Sequence, residues 1–269
     1  MQVENKVKLL CKSFSASDNV LVAFSGGVDS SFLLYILKRF SVAGISAITI
    51  KTPYIPEWEV NEAKAFCEFL SINHEIINLP LPDSVIMNPH DRCYLCKSAL
   101  FGHIKTYAVR EGFNIIADGS NADDMNDYRP GMKALKELEI RSPLLEFGFR
   151  KEEIRQKLKD YGLKIWDKPA YACLLTRIPY DTQINKHDLG IIEKGERLLH
   201  ELGFRGARVR LHKNSVRIEL NPEYFGKILD DKVRKEIIES FRASGVEFIS
   251  LDLEGYRMGS MNPKKNRMI

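Results

Sequence analysis

Three sets of residues in this chain have types and spacings that could do chemistry. The first is sulfur: of five cysteines, Cys173 stands in KPAYACLLTRIPY (168–180), between Pro169 and Pro179 and four residues before Arg177. Cys93 and Cys96 form a CxxC in DRCYLCK, flanked by Arg92 and Lys97, where positive charge and an expected helix start both favour thiolate. A CxxC alone reads as a redox dithiol, half of a zinc site or part of an iron–sulfur site. No second CxxC is present and the six histidines are scattered, so a four-ligand structural zinc site would lack partners. Cys11 and Cys67 fall on amphipathic or apolar faces and are expected to pack, as free cysteine commonly does.

The second set is FSGGVDSS (24–31). Gly26 and Gly27 allow backbone N–H groups to approach an anion, Ser25, Ser30 and Ser31 offer hydroxyls, and a following helix start adds its positive end. The GxxxxGK[ST] loop is absent, and Asp29 would be misplaced beside phosphate unless it serves a metal ion or a helix-start amide. The third set is DGSNADDMNDYRPG (118–131), where Asp118, Asp123, Asp124 and Asp127 could place Mg²⁺ on a pyrophosphate.

The elements that must position these groups follow from hydrophobic patterning. NVLVAF (19–24), GISAITIKT (44–52), HEIINL (74–79) and NIIADGS (114–120) read as strands. SSFLLYILKRF (30–40), 57–72, 96–112 and 150–162 read as helices. This β–α alternation predicts an α/β fold with a parallel sheet covered on both faces. Beyond about residue 165 the rhythm changes to a helix at 185–202, two strands around Lys213–Asn214, a helix at 223–243 and a strand at 247–253, which predicts a smaller α+β unit. Residues 163–185, which hold Cys173, form the expected joint.

Charge is mild, with 40 basic against 36 acidic residues and a net +4. That balance gives no argument for nucleic acid, although local clusters facing phosphate would produce it. No segment approaches about 18 uninterrupted apolar residues, so neither secretion nor a membrane span is expected. The odd number of cysteines fits a reducing cytoplasm better than a disulfide framework.

SGGVDSS resembles the loop of the N-type ATP pyrophosphatases of the PP-loop superfamily. They cleave ATP between its α and β phosphates and adenylylate a substrate oxygen. The resemblance implies that Ser25, Gly26, Gly27, Asp29, Ser30, Ser31, Asp118, Gly119, Asn121 and Asp124 hold ATP and Mg²⁺. PAYACLLTR, DGSNADD, DYRPG, ARVR and GYRMGSMN (255–262) together resemble the LarE family, nearly end to end. These ATP-dependent sulfur transferases build the nickel-pincer cofactor of lactate racemase. The fold then implied is a Rossmann-like, adenine nucleotide alpha hydrolase-like domain over 1–165, followed by a smaller α+β sulfur-transfer and substrate-binding domain over 166–269.

The resemblance also implies a chemistry. A carboxylate of a pyridinium biscarboxylate mononucleotide is adenylylated, and sulfur then replaces AMP to give a thiocarboxylate. Cys173 matches the sulfur-donating position. In one branch of the family that cysteine is sacrificed and left as dehydroalanine. Because Cys93 and Cys96 are also present, this chain fits the branch in which three thiolates, Cys93, Cys96 and Cys173, hold a 4Fe–4S cluster with one iron open. Glu196 matches a glutamate expected to assist proton transfer, and Arg177 is expected to steady the acyl phosphate or the thiolate. Arg208 and Arg210, spaced two apart on one strand face, are expected to bind the substrate phosphate. The partners implied are the mononucleotide, a sulfide source and other copies of the chain. A tRNA thiolase is the nearest rival, but it should carry a nucleic-acid module or a strongly basic face, and neither is seen. A non-catalytic nucleotide sensor and an ammonia-dependent amidotransferase are weaker rivals.

Overall fold

The computed structural model describes residues 3–126, 131–169 and 171–257. Asp127, most of DYRPG and most of GYRMGSMN lie outside them. The described residues fall into two compact units, one made of 3–85 with 91–169 and the other of 86–90 with 171–257.

The first unit opens with helix α1 (Val3–Lys12), which buries Val7, Leu10 and Cys11. Strand β1 (Asn19–Ala23), helix α2 (Val28–Phe40), strand β2 (Gly44–Lys51), helix α3 (Glu57–Phe69), strand β3 (Asn73–Asn78), helix α4 (Arg92–Arg110) and strand β4 (Ile115–Ala117) follow. All the strand pairs are parallel and the order is β3-β2-β1-β4. The α/β class and the parallel sheet thus agree with the alternation in the sequence. Val20, Leu21 and Val22 are consecutive and all buried, because β1 is covered on both faces and cannot alternate.

Helices α5 (Gly131–Glu137), α6 (Pro143–Glu146) and α7 (Lys151–Asp160) complete this unit. Phe32, Leu33, Ile36 and Leu37 of α2 pack in one core with Ile154 and Leu158 of α7. Truncating one such leucine to alanine costs about 2–5 kcal/mol, from lost transfer energy plus the cavity left behind. Helix α4 starts at Arg92, four residues before the expected Cys96, so Cys93 lies within its first turn.

The second unit contains helix α8 (Lys186–Glu201), strands β5 (Arg208–His212) and β6 (Ser215–Glu219), helices α9 (Phe225–Ile228) and α10 (Asp231–Ala243), and strand β7 (Phe248–Leu251). Strands β5 and β6 pair antiparallel through a turn in which Lys213 takes φ 55°, and β7 joins β6 in parallel after α10 crosses over. A Cβ on Gly195 would lie 2.6 Å from the Phe241 ring, so this glycine lets α8 and α10 meet. The single helix expected at 223–243 is interrupted. Asp230 breaks it by taking an extended conformation, and its carboxylate accepts from the Lys232 and Val233 amides to start α10 afresh. Among the described residues no helix is long and apolar enough to cross a membrane.

Candidate active site

In the first unit, β1 has β2 on one side and β4 on the other, so the sheet order reverses between β1 and β4. The loops leaving the carboxyl ends of these two strands carry SGG and DGS, at the switch point where open α/β sheets bind ligands. Gly26 has φ +67°, a left-handed conformation that side chains disfavour, and a Cβ there would lie 3.1 Å from Ala63 Cβ. Gly119 is held more tightly: a Cβ would stand 2.7 Å from the Ser30 amide nitrogen. The two glycine loops therefore touch backbone to backbone. Ser25 and Ser30 hydroxyls lie 3.2 Å apart, and Ser30 Oγ also donates to the Gly27 carbonyl. Ser31 Oγ is buried without a hydrogen-bond partner.

The acidic residues divide by how committed they are. Asp118 accepts from the Ser120 and Ser142 hydroxyls, one on each oxygen, with Lys97 Nζ 4.0 Å away. Asp123 accepts from the Lys151 amide at the start of α7, so it serves as a helix-start anchor. Asp124 accepts from the Asn121 amide, and the Asn121 side chain donates to Asp29 Oδ2 at 3.0 Å. Asp29 Oδ1 is buried with no hydrogen-bond partner. Burial pushes the Asp29 carboxyl up; Asp124 adds to that, while Lys151, the Asn121 hydrogen bond and Arg155 oppose it. A buried carboxylate oxygen left open fits Mg²⁺, which binds through one or two carboxylates and completes its shell with phosphate and water.

Lys168 was not singled out in the sequence, although it begins the KPAYACLLTRIPY stretch. Its Nζ donates to the Gly26 carbonyl at 2.8 Å and pairs with Glu62 at 2.6 Å. This puts a cation against the glycine loop.

Cys93 is exposed and Cys96 is half-buried, with Tyr54 Oη 3.0 Å from its sulfur. Burial pushes the Cys96 thiol up, outweighing the opposing Tyr54 hydrogen bond and the Lys97 charge. The positive charge expected to favour thiolate is present at Lys97, but at Cys96 desolvation outweighs it. Cys11 and Cys67 are buried packing residues whose thiols are pushed up to about 12. Cys93 and Cys96 belong to the first unit and Cys173 to the second. Among the described residues no three His, Cys, Asp or Glu side chains gather as a metal-ligand set.

In the second unit, Cys173 is half-buried and precedes a 3₁₀ turn at Leu174–Arg177. Its carbonyl accepts from the Thr176 amide and hydroxyl. Arg177, 1% exposed, donates through Nη1 to the Ala172 and Cys173 carbonyls and to Thr176 Oγ1. Its Nε and Nη2 form a two-pronged pair with Glu196, at 2.8 and 3.0 Å. Glu196 also accepts from the Val209 amide. These contacts make Glu196 an anchor for Arg177, and Arg177 a clamp on the backbone at Cys173. Proton transfer through Glu196 would first require release of that clamp.

Asn88, fully buried with φ 49°, donates from Nδ2 to the Leu175, Ile178 and Pro179 carbonyls, at 3.3, 3.0 and 2.9 Å. No signal in the sequence points to it. Arg208 and Arg210 share a face but differ in environment. Arg210 grips Glu219 Oε2 through two nitrogens, at 2.9 and 2.8 Å, and donates to the Thr176 carbonyl. Arg208 lies over the Tyr171 and Tyr256 rings, 5.1 Å from each centroid. Burial holds its guanidinium below the usual range, and the like charge of Arg177 acts in the same direction.

Comparison with known proteins agrees with this geometry. The asparagine synthase family model matches residues 11–90, which include the glycine loop. An uncharacterized protein of Synechocystis is 37% identical over 97% of this chain and 98% of its own length. Another of Methanocaldococcus jannaschii is 33% identical over 94% and 96%. The pyridinium-3,5-bisthiocarboxylic acid mononucleotide synthase of Lactiplantibacillus plantarum is 32% identical over 90% of this chain and 88% of its own length. The chain belongs to the LarE family, ATP-dependent sulfur transferases of the PP-loop ATP pyrophosphatase superfamily.

Proposed function

We propose that this enzyme adenylylates a carboxylate of a pyridinium biscarboxylate mononucleotide and converts it to a thiocarboxylate, as a step toward a nickel-pincer cofactor. The observation that carries the activation step is the open Asp29 Oδ1 beside the glycine loop at the sheet's switch point. A carboxylate is a poor electrophile. Its oxygen attacks the α-phosphorus of ATP and pyrophosphate leaves; Asp29 would hold Mg²⁺, which would supply charge neutralisation for the departing pyrophosphate. Lys168 and the α2 amides supply positive charge on the protein's side. A sulfur nucleophile then attacks the acyl carbon and AMP departs.

The name of the Lactiplantibacillus relative supports the substrate, since that protein is a synthase of the bisthiocarboxylic acid mononucleotide. Arg208, which lies against two tyrosine rings and donates through Nη1 to the Gly206 and Ala207 carbonyls, is the better candidate for the substrate phosphate, since Arg210 would have to leave the Glu219 carboxylate. Sulfur passes through Cys173, whose backbone is held by Arg177 and whose turn is held by Asn88. Cys93, Cys96 and Cys173 would hold a 4Fe–4S cluster, since three soft thiolates leave one iron open to carry sulfide.

Iron and acid-labile sulfide are measured on protein purified without oxygen. The expected result is about four of each per chain, lost on Cys93→Ala or Cys173→Ala. No iron after reconstitution, together with one turnover and a mass loss matching dehydroalanine at Cys173, would replace this reading with the sacrificial one. A tRNA shift on a native gel at ordinary salt would support the thiolase instead.

A further inference from the structure

We propose that His74 is a positioning residue for ATP: acting through Thr49, it fixes the Phe24 carbonyl and so sets the orientation of the Ser25–Gly26–Gly27 cradle. The inference rests on the ATP role of that loop.

Thr49 lies on β2 and His74 on β3, where Ala47 is opposite His74 and Ile76 opposite Thr49. The two side chains are thus a diagonal pair on one sheet face. Thr49 Oγ1 is 2.6 Å from the Phe24 carbonyl oxygen and 2.8 Å from His74 Nε2. A carbonyl cannot donate, and a hydroxyl has one proton, so Thr49 donates to Phe24 and must accept from His74. This puts a hydrogen on Nε2, and in the neutral imidazole that burial favours Nδ1 carries none. Nδ1 is buried with no hydrogen-bond partner. An apolar side chain would avoid leaving that atom unsatisfied, so the imidazole's contribution here is its Nε2–H.

The recipient of this relay is the entrance to the glycine loop. The Phe24 amide donates to the Ile48 carbonyl at 2.8 Å, and its carbonyl is taken by Thr49, so both backbone polar groups of this residue are tied to β2. A planar trans peptide then directs the Ser25 N–H away from the Phe24 carbonyl. Further along, the Gly26 carbonyl is taken by Lys168, and the Gly27 carbonyl by the Ser31 amide and Ser30 hydroxyl. Carbonyl oxygens repel phosphate. Three of the four carbonyls from Phe24 to Gly27 are bonded to protein donors, which favours presentation of the loop's N–H groups to an anion. Preorganisation of this kind lowers the ordering cost of binding, and two adjacent glycines make that cost high.

Thr49→Val and His74→Phe remove the relay with little change in shape. Thr49→Ser keeps the hydroxyl, and His74→Gln keeps a donor near Nε2. Binding of a non-hydrolysable Mg–ATP analogue and the KM for ATP in pyrophosphate release are measured for all four and for wild type. The two disrupting variants should weaken ATP about tenfold in both measurements. Their kcat should stay within about twofold of wild type, and the two conservative variants should recover affinity. Thr49→Val and His74→Phe with wild-type affinity would overturn the proposal, as would Thr49→Ser as weak as Thr49→Val. If His74→Phe does not fold, the Val/Ser pair at Thr49 decides. Wild-type protein that bound no Mg–ATP would overturn the ATP reading itself, and the inference with it.

Discussion

The glycine loop and the Cys173 turn use polar groups in opposite ways. Around the loop, buried polar atoms are left open: Asp29 Oδ1 and Ser31 Oγ have no hydrogen-bond partner. Around the turn they are heavily engaged, with Arg177 reaching three backbone or hydroxyl oxygens and both oxygens of Glu196. Asn88 adds bonds to three further carbonyls. The first region keeps capacity for a ligand that brings its own charge and metal. The second commits its polar groups to holding one backbone shape, as the sulfur transfer proposed for Cys173 would need. Open groups cost stability and favour binding, whereas engaged groups stabilise and fix geometry.

The sharpest break comes at sulfur. Cys173→Ser should abolish thiocarboxylate formation while pyrophosphate release continues, as assayed by product mass and phosphate detection. Next is Asp29→Asn, which should cut pyrophosphate release about a hundredfold or more. The same change should raise the stability of ligand-free protein by about 1 kcal/mol, because a buried carboxylate with an open oxygen becomes a neutral amide. Urea unfolding checks it; equal or lower stability would contradict the account of the open group. Arg177→Met should act in the opposite sense, costing about 3–5 kcal/mol by leaving Glu196 buried without its cation. Lysine at the same position should rescue little of this, since it lacks the planar fork.

Gly119→Ala should raise the KM for ATP about tenfold, because the new methyl forces the two glycine loops apart at Ser30. The smallest effect is in pH dependence. Burial holds His74 and His212 below their ordinary value of 6.5, with a smaller contribution at His212 from Arg217 and Arg210. A histidine that resists protonation in the fold makes stability fall as pH drops from about 6.5 through its lowered folded value. His74→Gln should therefore flatten part of that fall in chemical denaturation, and an unchanged slope would remove His74 from the cause.

The fold was legible where local chemistry fixes local structure. Consecutive apolar residues marked β1 as a two-faced strand, and SGGVDSS marked the strand-to-helix turn. Asp29 stood out because a carboxylate there is odd without a metal. What stayed hidden depended on distant partners. Asn88 resembles any loop asparagine until the carbonyls near 175–179 are found around it. His74 and Thr49 look like ordinary polar strand residues until their pairing register makes them neighbours. Glu219 gave no sign of being the counter-charge for Arg210, because only the β5–β6 register brings them together. The break before α10 was missed because Asp230 sits within a helical pattern and reveals itself only as a cap.

Residues 86–90 belong to the second unit although the chain on both sides of them belongs to the first. During synthesis this short strap leaves the ribosome about ninety residues before the carbonyls that Asn88 will bind. The Ile86 carbonyl likewise waits for the Ile184 amide. A nascent chain therefore carries an unfinished piece of the later unit while the earlier one folds. A cut near residue 170 would separate neither unit cleanly, since one fragment would keep a strap with nothing to hold and the other would lose the latch behind its cysteine.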